Sequence, residues 1–193
     1  SAPMVNQNRS LFQGAMGNGR NDGSNYIYHP DANGYLLREY RWSTNGYVEN
    51  SIPLPMMAQR IAIGDLHNDG IQRLYVSDGF YSPGTAYIRE LTYDDNSKSW
   101  LEDILHSSHC PKYSRHELFI GDARNDGKNR LYSIARDGGL VEHSHHNSKW
   151  ETDAIDAVTG ATATIAIGNA RNDNKKRIYV AGTSKLLEYT YKK

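Results

Sequence analysis

Apolar positions in this chain come in short bursts, separated by clusters of glycine, asparagine and aspartate. No stretch sustains the 3.6-residue apolar period, with caps, that marks a helix. Instead a short apolar segment precedes each of four glycines: Gly14-Ala15-Met16, Ile61-Ala62-Ile63, Leu118-Phe119-Ile120 and Ile165-Ala166-Ile167. After a polar turn comes a segment rich in tyrosine and β-branched residues, with Tyr26-Ile27-Tyr28, Leu74-Tyr75-Val76, Leu131-Tyr132 and Ile178-Tyr179-Val180. A third segment carries an apolar-x-Glu pattern ending at Glu39, Glu90, Glu142 and Glu188, each followed three residues on by a ring: Trp42, Tyr93, His145 or Tyr191. A fourth opens with Tyr47, Trp100 or Trp150. Segments of this length, bounded by turn residues, predict strands.

The segments recur in register. GNGRNDGSNYIY begins at Gly17, GDLHNDGIQRLY at Gly64, GDARNDGKNRLY at Gly121 and GNARNDNKKRIY at Gly168, at intervals of 47, 57 and 47 residues. That period suits both propeller blades and paired-helix repeats, and the strand pattern decides between them. The unit is a four-stranded antiparallel meander. The chain is therefore expected to be all-β, one domain over residues 1–193, forming a small β-propeller of four four-stranded antiparallel blades. The fourth repeat reaches Tyr191 and then only Lys192 and Lys193, so its outer strand is missing. Residues 1–16 are expected to complete that blade, which would close the ring and remove exposed sheet edges. Two arrangements compete with it: two chains completing a larger ring by two-fold symmetry, and the chain being part of a longer propeller.

Composition narrows the partners. Fourteen tyrosines against three phenylalanines suit half-buried strands, whose rings pack while the hydroxyls stay wet. Lys plus Arg equals Asp plus Glu at 22 each, so the electrostatic footprint of a non-specific nucleic-acid or anionic-membrane binder is missing. No apolar run has the length to cross a bilayer, and the single cysteine, Cys110, excludes an intrachain disulfide framework. The expected partners are a carbohydrate or protein ligand, with no nucleic acid and no membrane, bound by a monomer or a symmetric homo-oligomer.

At the turns, GDLHNDG and GDARNDG resemble the calcium-loop core of FG-GAP or VCBS-type repeats, which build integrin-like and fungal-lectin propellers. The likeness spans about seven residues per blade. In that family an Asp-x-Asp-x-Asp-Gly pattern supplies oxygen ligands to calcium. Here the first position is Asp65 and Asp122 but Asn18 and Asn169, and the third is Arg20, His67, Arg124 or Arg171. The fifth is intact at Asp22, Asp69, Asp126 and Asp173. An arginine has no lone pair to give a cation and brings its own positive charge. The expectation is that arginine stands in for the metal, that side-chain hydrogen bonds close the turn, and that no cofactor is needed. Calcium is the alternative the resemblance implies.

Residues repeated in every blade serve the blade first. Glu39, Glu90, Glu142 and Glu188 form a possible ring of acids, but Arg73, Arg130 and Arg177 recur in the neighbouring strand and pair with them. Departures from the repeat are more informative. The second unit carries about ten extra residues, over Phe80–Thr85 and His106–His116. His106, His109 and His116, near Cys110, are a candidate zinc or copper set, although their spacing matches no established finger. His143 and His145 share one face of a strand, expected to be a solvated polar face. For ligand contact the candidates are Trp42, Tyr93, Trp100 and Trp150, whose competing role is blade packing, together with Phe80 and Tyr81 in the insertion. No catalytic residue is named: neither a G-x-S-x-G elbow nor a phosphate loop occurs. The expected function is a non-catalytic, lectin-like propeller with sugar sites between blades. The alternatives are a protein-interaction or assembly module, and a polysaccharide lyase or hydrolase using one face of the ring.

Overall fold

The strands follow from a period of two. In Tyr26–Pro30 the buried side chains are Tyr26, Tyr28 and Pro30, with Ile27 and His29 on the opposite face. The computed structural model describes residues 13–31, 33–55, 57–78, 84–110, 117–134, 139–157, 164–182 and 185–191. Among these there is no helix, and thus none long and apolar enough to cross a membrane.

Four antiparallel sheets follow one another along the chain. The first holds β1 (Ala15–Gly17), β2 (Tyr26–Pro30), β3 (Leu36–Ser43) and β4 (Gly46–Pro53) in sequence order. The second holds β5 (Ala58–Gly64), β6 (Arg73–Asp78), β7 (Gly84–Asp94) and β8 (Ser99–Cys110). In the third, β9 (Glu117–Gly121), β10 (Arg130–Ile134), β11 (Gly139–His146) and β12 (Lys149–Ala157) pair in the same way. The fourth is three-stranded among the described residues: β13 (Thr164–Gly168), β14 (Arg177–Ala181) and β15 (Leu186–Tyr189). Ala15 and Met16 pair with β2 in the first sheet, and residues 1–12, the rest of the segment expected to complete the fourth, lie outside the described residues.

The core lies between sheets. Tyr26, Tyr28 and Leu37 of the first sheet pack on Ile61, Leu74 and Val76 of the second. Ala62, Tyr75 and Ile88 of the second meet Leu118 and Leu131 of the third, and Tyr132, Ile134 and Leu140 of the third meet Ile165, Ile178 and Val180 of the fourth. Each such buried aliphatic side chain contributes about 1.5–3 kcal/mol. The inner strands touch in the order β1 to β5, β5 to β9 and β9 to β13, and no contact of comparable extent joins the fourth sheet to the first among the described residues.

The Asn-Asp-Gly turns need backbone that ordinary residues avoid. Asn21, Asn68, Asn125 and Asn172 have φ of 56°, 57°, 58° and 55°, and asparagine tolerates this left-handed region better than most. Gly23, Gly70 and Gly127 follow at 83° to 84°, with Asn174 taking that place in the fourth turn at 62°. The carboxylate of Asp65 accepts the backbone N–H groups of Asp69 and Gly70, and Asp122 does the same for Asp126 and Gly127. In the second unit, the described part of the insertion extends a hairpin: β7 and β8 pair from the Asp94–Ser99 end to Gly84 opposite Cys110, with one shift of register between Ile88 and Arg89.

Candidate functional site

The charged repeat positions are turned inward on one another. Asp69, Asp126 and Asp173 each receive two bonds from one guanidinium, of Arg73, Arg130 and Arg177, at 2.5 to 3.0 Å. Those guanidinium groups hold the carboxyls of all three aspartates well below the usual carboxylate range. In the first sheet Tyr26 replaces the arginine and donates its hydroxyl to Asp22 at 2.6 Å. A calcium ion at this turn would face an arginine already bonded to the oxygens it needs, so the residues do not fit the metal that the FG-GAP pattern implies.

The glutamates sit one step further in. Glu39, Glu90 and Glu142 are buried, and Glu188 is partly so. Arg73, Arg130 and Arg177 approach Glu90, Glu142 and Glu188 through Nε at 3.4 to 3.5 Å, while Glu39 has no such neighbour because Tyr26 takes that place. The shorter bonds come instead from the turn: Arg20 to Glu39 at 2.5 Å, His67 to Glu90 at 2.8 Å, and Arg124 to Glu142 at 2.6 Å. The within-strand arginines thus bond mainly to the turn aspartates. The acids are satisfied in place and do not converge on a shared axis as a free ring.

The same turn residues reach the next sheet. Arg20 lies 4.5 Å from the ring centre of Tyr93 and donates to its hydroxyl at 2.9 Å. His67 stacks on His145 at 3.7 Å, and Arg124 lies 4.9 Å from the ring of Tyr191. Hydrogen bonds supply a second link between sheets. Asn21 donates to the Gln72 carbonyl and accepts its N–H, Asn125 does both with Lys176, and Asn68 accepts from Asn129. Sequence reasoning assigned these asparagines to turn geometry alone. The only sequence signal for the second role is that asparagine, whose side chain carries both a donor and an acceptor, holds the position in all four repeats.

The sequence-selected aromatics separate into two groups. Tyr93, Trp100 and Trp150 are partly buried in sheet interfaces: Trp100 packs edge-on against Tyr28 and Tyr93, and Trp150 against Tyr75, His67 and His145. Trp42 is 65% exposed and forms an edge-on pair with Tyr47, itself 58% exposed, with ring centres 5.1 Å apart. Phe80, Tyr81 and His116 lie outside the described residues, and of His109 only its place in β8 is described. His106 faces His143 across the second interface at 4.9 Å, and burial lowers its pKa. Among the described residues no three His, Cys, Asp or Glu side chains are placed to hold a metal ion.

The face carrying His143 and His145 is not solvated, contrary to expectation. His143 is fully buried, bonded to Ser133 at 2.9 Å and Thr152 at 3.1 Å, and His145 is the ring on which His67 stacks. Burial, reinforced by His67, holds His145 below the usual histidine pKa. A crevice of about 390 Å³ opens on the first sheet, lined by Arg20, Tyr26, Glu39, Arg41, Asn50 and neighbouring residues.

No protein-family model matches this chain, and no curated protein matches it. Among solved structures it is similar to the crystal structure of BBS1N in complex with ARL6DN, soaked with mercury, at a TM-score of 0.57 and 16% identity. The likeness covers 91% of this chain and 53% of that one, so the chain spans about half the length of that structure. BBS1N is a β-propeller. The fold is propeller-like. At this identity the likeness extends to the fold and no further.

Proposed function

We propose that this chain is a protein-interaction module, a non-catalytic propeller scaffold that offers the outer face of its first sheet to a protein partner. In this reading the four sheets are four blades. The observation that carries the proposal is the exposed Trp42–Tyr47 pair, whose counterparts Tyr93–Trp100 and His145–Trp150 are sealed between sheets. Exposed paired aromatics beside an otherwise polar strand mark contact sites, because such rings anchor interfaces at little entropic cost. The propeller it resembles was crystallised in complex with a protein, ARL6DN, which supports the same reading. The lectin-like reading drew on Trp42, Tyr93, Trp100 and Trp150, and packing employs the last three.

A photo-crosslinking residue at position 47 tests the proposal, with the same probe at exposed Lys98 as control. A discrete protein adduct from position 47 alone is expected. No adduct above the Lys98 control, together with a glycan bound on an array, would overturn the proposal. The 390 Å³ crevice favours that second reading: it combines the Tyr26 ring with an amide, a guanidinium and a carboxylate, in a volume that suits a small ligand.

A further inference from the structure

Every interface between consecutive sheets joins the same two faces, and among the described residues each end of the row shows one of them without its counterpart. Toward the following sheet, Tyr28, Tyr75 and Tyr132 are fully buried, and Gly17, Gly64 and Gly121 abut Ile63, Ile120 and Ile167. The fourth sheet presents the same face with Tyr179 and Gly168. Tyr179 is only partly buried there, and nothing lies within 4 Å of the space a Gly168 Cβ would fill. On the opposite face, the first sheet places Met16 where the others place those isoleucines, and Met16 is 70% exposed. The cation-on-ring pairs are left over in the same way. Arg171 is 64% exposed with no ring over it among the described residues, and Trp42 is the ring without a cation. Asn172 shares the left-handed φ of Asn21, Asn68 and Asn125 but has no cross-sheet bond among the described residues. Asn25, at the position of Gln72, Asn129 and Lys176, is exposed.

We infer that these two end faces are the halves of one further interface, and that each is filled by a second copy of this chain, head to tail. This rests on the reading of the first sheet as a protein-contact surface and names the partner. The complementarity runs position by position: Met16 onto Gly168, Trp42 under Arg171, and Asn172 reaching the backbone of Asn25. Tryptophan is the best ring for such a cation, and arginine the cation most often found over one. A head-to-tail contact closes into a ring or grows into a filament, depending on its rotation. Two copies bring eight sheets, at the upper end of the four to eight blades usual in propellers, whereas three would exceed it.

Light scattering after size exclusion, over a range of concentrations, tests the inference. The wild-type chain is expected at about twice 21.8 kDa, dissociating on dilution. Met16→Glu and Gly168→Val are each expected to remain at 21.8 kDa with wild-type circular dichroism. Mixing the two variants is expected to restore a dimer, through the intact first sheet of the Gly168→Val chain and the intact fourth sheet of the Met16→Glu chain. Arg171→Glu provides a second fourth-sheet variant for the same mixing experiment. A head-to-head dimer would leave Gly168→Val associating normally, which overturns the inference. So does a wild-type monomer at every concentration. If position 47 still captures a protein in that case, the interaction reading stands and only the second-copy assignment falls.

Discussion

Four glycines occupy equivalent positions at the ends of β1, β5, β9 and β13, and replacing each by alanine separates them sharply. A Cβ on Gly64 would lie 3.0 Å from Ile120 Cγ2 and 3.2 Å from its Cδ1. On Gly121 it would lie 3.0 Å from Ile167 Cγ2, and on Gly17 it would lie 2.9 Å from Ile63 Cδ1. Carbon atoms prefer about 3.5–4.0 Å, so each substitution drives an isoleucine back by roughly half an ångström or more in a packed interface. Overpacking of that kind costs about 1–3 kcal/mol. Against it stands a gain of about 0.4–1 kcal/mol from the stiffer unfolded chain. The net expectation is a loss of about 0.5–2 kcal/mol, or several degrees of melting temperature at about 2–4 °C per kcal/mol. At Gly168 the Cβ meets nothing, so only the gain remains and Gly168→Ala melts slightly higher than wild type. The comparison is made by calorimetry at concentrations too low for self-association. Equal losses at all four glycines would refute the reasoning, because they would show the fourth sheet already covered.

The buried Asp78 carboxyl has its pKa pushed up to about 6 by desolvation, partly offset by the Tyr87 N–H it accepts. A raised carboxyl favours folding below its unfolded value near 4 and loses that contribution as pH climbs through about 6, so Asp78→Asn should stabilise by about 2–3 kcal/mol at pH 8 and little at pH 4 in urea titrations. The depressed Asp69 carboxyl, held by Arg73, works in the opposite direction: its contribution is present above about pH 4 and disappears as pH falls further, and Arg73→Met should flatten that acid limb of the melting profile. Glu142→Ala should cost about 1–3 kcal/mol, since it removes the acceptor of Arg124 and of the Tyr191 hydroxyl while Arg130 keeps Asp126, whereas Glu188→Ala, beside the exposed Arg171, should cost less than about 1 kcal/mol by the same denaturation assay. Millimolar calcium, or a chelator, should leave the melting temperature unchanged, because Asp69, Asp126 and Asp173 already hold arginine; a rise with calcium would restore the metal reading of the turns.

Much of this architecture is legible in the residues. The tyrosine-rich strands, the aromatic that opens the fourth strand of each complete sheet, and the positive-φ asparagine turns all follow from local pattern. What escapes is the pairing of faces between sheets. His143 and His145 look like solvent positions because histidine is polar, yet their face is covered by the neighbouring sheet, where His67 supplies a stacking partner some 80 positions away in the chain. The histidines and serines of the second-unit insertion carry no apolar alternation to mark a strand, yet its described part, residues 84–85 and 106–110, is paired backbone of β7 and β8. Arginine–glutamate proximity was readable, but not which arginine comes closest, because Arg20 and Arg124 arrive from turns whose path only the folded chain defines.

The asparagine bridges give the row of sheets a direction. Asn21, Asn68 and Asn125 each complete their bonds on the backbone of the following sheet, never the preceding one. A turn is therefore fully ordered only when its successor is folded against it, and stability propagates backward along the chain like a nearest-neighbour array with one polarity. Among the described residues the Asn172 turn has no such bond, so amide exchange should begin at the fourth sheet and advance toward the first, and capping this end alone would slow the exchange of every sheet behind it.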